Sequence, residues 1–174
     1  ELFITKNTTN YIILQELRLK YPAANITSTS VITVRLTVAT GVWVRASTTG
    51  YFAIQEGGIN KGCSVHLINH GVIIGKGGDG GSATSTSGRG YAGGHAIHTY
   101  AAWTIDNTDP NAYIAGGGGG GGSHYNVHGA AGGGGGAGGG TGGRGSALDA
   151  FSLVWVGAPR QGGVGATVPN TSGG

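Results

Sequence analysis

The chain has 174 residues, a formal net charge of +3 and only 10% charged residues. That is too little charge for disorder by self-repulsion, and the ten Lys and Arg are scattered, without the basic run of a nucleic-acid-binding chain. Forty residues are glycine, and all but five of them (Gly41, Gly50, Gly57, Gly58 and Gly62) follow residue 70; such a segment pays heavily to order, so it is either disordered or held by something other than an ordinary core.

In chain order, Thr8-Thr9-Asn10 offers N-cap chemistry, and Ile13, Leu14, Leu17 and Tyr21 follow at helical spacing until Pro22. This predicts a short helix over 10–21, with Glu16 and Lys20 as an i,i+4 pair. A strand is the rival, because Leu17, Leu19 and Tyr21 also alternate with Arg18 and Lys20. Residues 31–38 alternate apolar and polar (Ile32, Val34, Leu36, Val38), a strand with one wet face. Val42–Arg45, Tyr51–Ile54, Ser64–Ile68 and Val72–Ile74 read as further short strands, the last two hinged at Asn69-His70-Gly71. Close spacing and turn residues indicate an all-β unit. The lone cysteine, Cys63, lies among β-type residues, is expected to be a small buried hydrophobe and leaves no internal disulfide.

An imperfect repeat then appears. Leu67–Gly78 runs as apolar strand, Asn turn, second apolar strand and glycine tract. Thr104–Asn107, followed by Ala112–Gly117, echoes it, and Phe151–Gly157 is a weaker third unit. Such a repeat predicts stacked layers, because a flexible linker would not keep placing Ile, Tyr, Trp and Val at matching points.

Ordered glycine tracts have one natural geometry here. A polyglycine-II rod has three residues per turn and a rise of ~3.1 Å, with no internal hydrogen bonds. Rods without Cβ atoms pack closely and bond laterally through N–H and C=O. Gly116, Gly117, Gly118, Gly119, Gly120, Gly121 and Gly122 would make one rod of roughly 22 Å. Tracts at 75–81, 132–140 and 142–145 would supply others. Collagen fails, since it needs glycine at every third residue with abundant proline, and there are four prolines.

Leu67–Gly81, then Gly93-Gly94-His95-Ala96-Ile97, then Ile105-Asp106-Asn107 and Tyr113-Ile114-Ala115 before a long glycine run, resemble the glycine-rich receptor-binding tips of tailed bacteriophages. The pattern looks most like the C-terminal region of the central host-specificity protein at the tail tip of lambda-like siphophages. It is also similar to the short adhesin capping T-even long tail fibres. Thr33–Ser47 resembles the small β domain that precedes such a tip, and the likeness covers roughly residues 10–145. It implies a polyglycine-II bundle whose connecting loops contact a bacterial outer-membrane protein or lipopolysaccharide, in a virion tail alongside other phage tail proteins. Tail-tip proteins of this class are trimers, which makes a homotrimer the expected state; the capping adhesins are single copies.

The loops carry side chains a glycine scaffold does not need. Ser123, His124, Tyr125, Asn126, Val127 and His128 interrupt the longest tract, and Ser82–Ser87, Arg89 and Tyr91 interrupt the first. Tyr, His, Asn and Ser offer rigid rings and adaptable hydrogen bonds, so Ser123–His128, Arg89 and Tyr91 are the candidate receptor contacts. The bland reading is a set of solvated turns. His98–Trp103 is more apolar and is expected in a core or interface.

Gly75-Lys76-Gly77-Gly78-Asp79-Gly80 satisfies G-x-G-x-x-G, but Gly81-Ser82-Ala83-Thr84 starts no helix, so dinucleotide binding is set aside. The histidine pairs His66/His70, His95/His98 and His124/His128 lack a converging third ligand, so no metal site is assigned. No nucleophile–base arrangement or carboxylate pair points to an enzyme or a cofactor. No apolar stretch approaches ~18 residues, so the segment is not expected to insert into a membrane. The chain opens without Met or a signal peptide and is expected to be part of a longer polypeptide.

The expected architecture is mainly β with a polyglycine-II rod bundle. A β-rich platform with one short helix spans 1–74, and a glycine-rich tip spans 75–174. The expected function is host attachment. An ice-binding polyglycine-II protein, which needs a regular face of Thr or Ala, and a passive glycine-rich segment are the alternatives.

Overall fold

A computed structural model describes residues 1–82, 88–126, 129–131, 135 and 138–142; for 124–126 and 129–131 it describes the backbone. The described residues are mainly β with one short α-helix. Two compact units are present, one of residues 1–47, 51–74 and 95–115, the other of 48–50, 75–94 and 116–174.

The first unit is a parallel β-solenoid. Its strands are β1 (Leu2–Ile4), β2 (Thr8–Thr9), β3 (Tyr11–Ile12), β4 (Thr33–Val38), β5 (Trp43–Arg45), β6 (Ile54–Gln55), β7 (Ser64–Asn69), β8 (Val72–Ile74), β9 (Ile97–His98), β10 (Ala102–Asp106) and β11 (Tyr113–Ala115). They form three sheets in the orders β1-β4-β7-β10, β2-β5-β8-β11 and β3-β6-β9, and every pairing is parallel. Each of the first three turns of the chain therefore gives one strand to each sheet, and β10 and β11 add a fourth layer to the first two. Between β8 and β9 the chain leaves this unit for residues 75–94 and then returns.

Period-two patterning puts alternate residues inside. Leu2, Leu36 and Leu67 stack in register, as do Val34 with Val65 and Val44 with Ile73, and all are nearly inaccessible to solvent. Thr33, Arg35 and Thr37 face outward, as the alternation over 31–38 requires. The Leu67–Ile74 and Ile105–Ala115 repeat becomes two consecutive layers, with Ile105 on Leu67 and Ile114 on Ile73.

The Asn turn of that repeat has a defined job. Asn69 continues the inward column of Ile4 and Val38, yet it is buried with both ends of its amide used. Its Nδ2 donates to Asn107 Oδ1 (2.7 Å), and its Oδ1 accepts from Gly71 N (3.1 Å). Gly71 must be glycine, because a Cβ there would lie 2.2 Å from Val42 O and 2.8 Å from Ala39 O of the preceding turn. Asn69→Ala orphans partners on two layers and is expected to cost about 1–3 kcal/mol, read as a lower urea midpoint with an unchanged m-value.

The helix α1 spans Ile13–Lys20, three residues shorter at its start than the cap chemistry predicts. Thr8-Thr9 and Tyr11-Ile12 are taken by the sheets, where Asn10 N bonds Arg45 O and Tyr11 N bonds Ala53 O. Asn10 adopts φ 53° and holds Ser47 through both amide atoms instead of capping the helix. Ile13, Leu14 and Leu17 are buried, so the helical reading wins over the strand reading of Leu17–Tyr21. Pro22 ends the helix as expected, opening a 3-10 turn over Pro22–Ala24. Lys20 does not take up the expected i,i+4 role: its Nζ donates to Glu1 O (2.8 Å) and lies 5.4 Å above the Phe3 ring. The strand expected over Tyr51–Ile54 forms only at Ile54–Gln55. Cys63 is buried and its thiol donates to Ser30 O, the small-hydrophobe role expected of it.

Glu56 is the second buried polar anchor, 1% exposed. Its Oε1 accepts from Ala101 N (2.9 Å) and Trp103 Nε1 (2.5 Å), and its Oε2 from Tyr100 N (2.7 Å). One carboxylate thus fixes the turn between β9 and β10, which explains why the apolar-looking run His98–Trp103 packs as it does.

Candidate functional site

In the second unit, four stretches run beside one another: 75–81, 88–94, 116–123 and 138–142. Their backbone bonds recur every three residues. Gly78 and Gly81 donate to Gly118 and Gly121; Tyr91 and Gly94 donate to Asp79 and Lys76. Gly117, Gly120 and Ser123 donate to Gly94, Tyr91 and Gly88; Gly77 and Gly80 donate to Gly138 and Thr141. The donor and acceptor numbers rise together for 75–81 with 116–123 and with 138–142, so these run parallel. They run in opposite senses for 88–94, which is antiparallel to its two neighbours. Residues 75–81 are bonded on three sides, one side for each residue of the repeat.

The close approach explains the glycines. A Cβ on Gly75, Gly78 or Gly81 would sit 2.0–2.2 Å from a carbonyl oxygen of 88–94. At Gly117 and Gly120 it would sit 1.9 and 2.0 Å from Lys76 O and Asp79 O. The next column differs: at Gly116, Gly119 and Gly122 the nearest atoms would be 3.5, 3.8 and 3.4 Å away, ordinary contact.

Lys76 and Asp79, three residues apart, both reach the 138–142 stretch. Lys76 Nζ bonds Gly139 O, and Asp79 Oδ1 accepts from Thr141 N (2.8 Å) and Thr141 Oγ1 (2.6 Å). The Thr141 hydroxyl and amide hold the Asp79 carboxyl below its usual range, with Lys76 adding a smaller pull. This Lys-Asp spacing lies inside the G-x-G-x-x-G match, whose residues are occupied with neighbouring backbone. A folded carboxyl held low contributes stability above the unfolded value of about 3.9 and loses it as pH falls through the folded one. The Thr141 amide resonance is therefore expected to shift on acidification below that range, and Asp79→Asn should remove the shift.

The predicted contact residues fall in this unit. Arg89 and Tyr91 lie on 88–94 and are exposed, Tyr91 at 68%. Ser123 closes the 116–123 stretch, with its Oγ on Gly88 O (3.2 Å). His124–Asn126 form β12, antiparallel to β13 (Gly129–Ala131), so the interruption of the longest tract begins as a paired strand. Val127 and His128 lie outside the described residues, as do Ser82's followers 83–87, Phe151–Gly157 and parts of the later tracts. Sequence reasoning missed Lys76, Asp79 and Thr141; the three-residue spacing of the two charged residues in a glycine run was the available signal. Among the described residues, no group of three His, Cys, Asp or Glu could hold a metal ion, and no helix is long and apolar enough to cross a membrane.

The backbone-bonded glycine unit, with exposed Arg89 and Tyr91 on it, is the kind of scaffold on which binding loops are positioned. The chain belongs to the phage tail fibre adhesin Gp38 family, whose pattern it matches over residues 1–174. It is similar to a solved structure, the gp37-gp38 adhesin tip complex of the bacteriophage S16 long tail fibre, at 25% identity and a TM-score of 0.58. The match covers 96% of this chain and 66% of that one, so this chain spans about two thirds of its length. Comparison with curated proteins gave no match. A tail fibre adhesin is a virion component, which places the protein in the phage tail.

Proposed function

We propose that the protein is a receptor-binding adhesin that recognises a bacterial outer-membrane protein or surface glycan during host attachment. The observation carrying this is membership of the tail fibre adhesin family over the whole chain. We further propose that the stretches 75–81, 88–94, 116–123 and 138–142 of the glycine-rich half form a polyglycine-II tip and that residues 1–74, together with 95–115, form the platform. The three-residue period of the bonds and the carbonyl contacts at every third glycine support that geometry. Ser123–His128, Arg89 and Tyr91 are the proposed contact residues: Arg89 and Tyr91 are exposed on the 88–94 stretch, and His124–Asn126 form a paired strand directly after the 116–123 stretch. Binding needs no chemistry and no cofactor.

The S16 complex pairs gp38 with gp37, which supports another tail protein as partner here. Family membership also moves the expected stoichiometry from the homotrimer of tail-tip proteins to the single copy of the capping adhesins. Light scattering on the purified chain is expected to give one chain's mass, and three times that mass would restore the trimer.

Pre-incubating host cells with purified protein tests the function. Adsorption of the parent phage should fall, and a panel of outer-membrane-protein and lipopolysaccharide deletion strains should contain one that no longer binds the protein. Equal binding to every strain, with no competition, would refute receptor recognition.

A further inference from the structure

A cluster of aromatic rings gathers around β9 of the third sheet. Phe52 lies tilted against His98, with centroids 4.4 Å apart. His98 meets Tyr100 edge-on at 4.6 Å, and Phe52 stacks at 6.1 Å on His95. Tyr100 is 62% exposed and His95 is exposed as well. Gln55 sits beside His98 in register and adds an amide. No Lys, Arg, Asp or Glu takes part in the ring contacts.

Large aromatics left in water cost free energy unless a partner covers them. This cluster is also held rigidly. Tyr100 N and the next residue's N–H are bonded to the buried Glu56 carboxylate, which fixes the turn that presents the Tyr100 ring. Pre-ordered rings lose little entropy on binding, the property of a recognition surface. Rings with polar tips, and no Lys, Arg, Asp or Glu among them, suit a ligand that has one apolar C–H face and a rim of hydroxyls. A phosphorylated ligand would instead call for charge beside the rings, and a polypeptide docking by strand addition would bond the backbone edge of β9, the outer strand of its sheet, rather than the ring faces.

We propose that Phe52, His95, His98 and Tyr100 form a carbohydrate-binding platform for a neutral pyranose ring, stacked on Tyr100 and hydrogen-bonded by the imidazoles and Gln55. It rests on the adhesin reading only for its biological setting, because sugar binding is measured without cells. It is separate from the contact residues proposed on the glycine-rich unit.

The test titrates the full chain with methyl glycosides of gluco-, galacto- and mannopyranose, followed by NMR. At least one is expected to move the His95 and His98 imidazole signals with a millimolar Kd. Tyr100→Ala should weaken it tenfold or more while the amide spectrum stays folded, and Phe52→Leu gives a milder second variant. Tyr91→Ala should leave sugar binding unchanged. If Tyr91→Ala abolishes adsorption but not sugar binding, the two sites are distinct and both readings stand. Titration of purified lipopolysaccharide and of capsular polysaccharide then tells which polymer supplies the ring, binding to either supporting the platform. No shift with any glycoside or polymer, or shifts that survive Tyr100→Ala, would overturn it.

Discussion

Gly117→Ala is expected to break the glycine-rich unit, whereas Gly119→Ala, two residues away, is expected to be tolerated. The two substitutions are chemically identical. At Gly117 the new methyl would sit 1.9 Å from Lys76 O and 2.3 Å from Lys76 C, so backbone would have to move. The bonds from Gly78 to Gly118 and from Gly81 to Gly121 span the same gap and would open with it. Several hydrogen bonds and their close packing fail together, a loss of about 4 kcal/mol or more, at the extreme end of point mutations. At Gly119 the nearest atom would be 3.8 Å away, and loss of unfolded-chain entropy makes the change neutral or slightly stabilising, within about 1 kcal/mol. Amide hydrogen exchange at Gly78 and Gly81 checks the contrast: fast exchange in Gly117→Ala and protection in Gly119→Ala. Equal behaviour of the two variants would mean that the three-residue columns do not exist.

Glu56→Ala should be the most damaging side-chain truncation in the solenoid. It leaves Tyr100 N, Ala101 N and Trp103 Nε1 without an acceptor at a site 1% exposed. Hydrogen bonds to a charged group are worth about 1.5–3 kcal/mol each, and buried orphan donors pay desolvation besides. Incomplete additivity brings the expected loss to about 3–5 kcal/mol. Glu56→Gln keeps the shape and one acceptor but brings an NH2 against donors, so it should fall between wild type and Ala. Urea midpoints in the order wild type, Gln, Ala are the expected result. A Gln variant as stable as wild type would show that the carboxylate's second oxygen contributes nothing.

Much of this was legible because it is local. Alternation over Thr33–Val38 gives the wet and dry faces directly. The Leu67–Ile74 and Ile105–Ala115 echo shows two layers, since each layer repeats the same turn and the Asn69–Asn107 bond links the two copies. The first two layers were hidden. Val38 occupies the place that Asn69 holds a layer later, and the connecting turns differ in length. Parallel pairing joins residues 29 or more apart, such as Val44 with Ile73, and no local pattern names a distant partner. The same competition explains the helix start: Thr8-Thr9-Asn10 has cap chemistry, but the neighbouring layer's Arg45 and Ala53 carbonyls capture that backbone first. In the glycine-rich unit the tracts were visible and their partners were not. Which glycines are sterically required follows from the register between stretches, and the anchoring roles of Lys76 and Asp79 follow from it too.

In the proposed adhesin, residues 123–128 recognise the host and the glycine-rich stretches present them. Replacing residues 123–128 with the equivalent segment of a related phage, and measuring adsorption to both hosts, tests this most directly. The expected result is adsorption lost on the original host or redirected to the other, with the amide protection of Gly78 and Gly81 unchanged. Adsorption to the original host at the wild-type rate, in a folded variant, would contradict it.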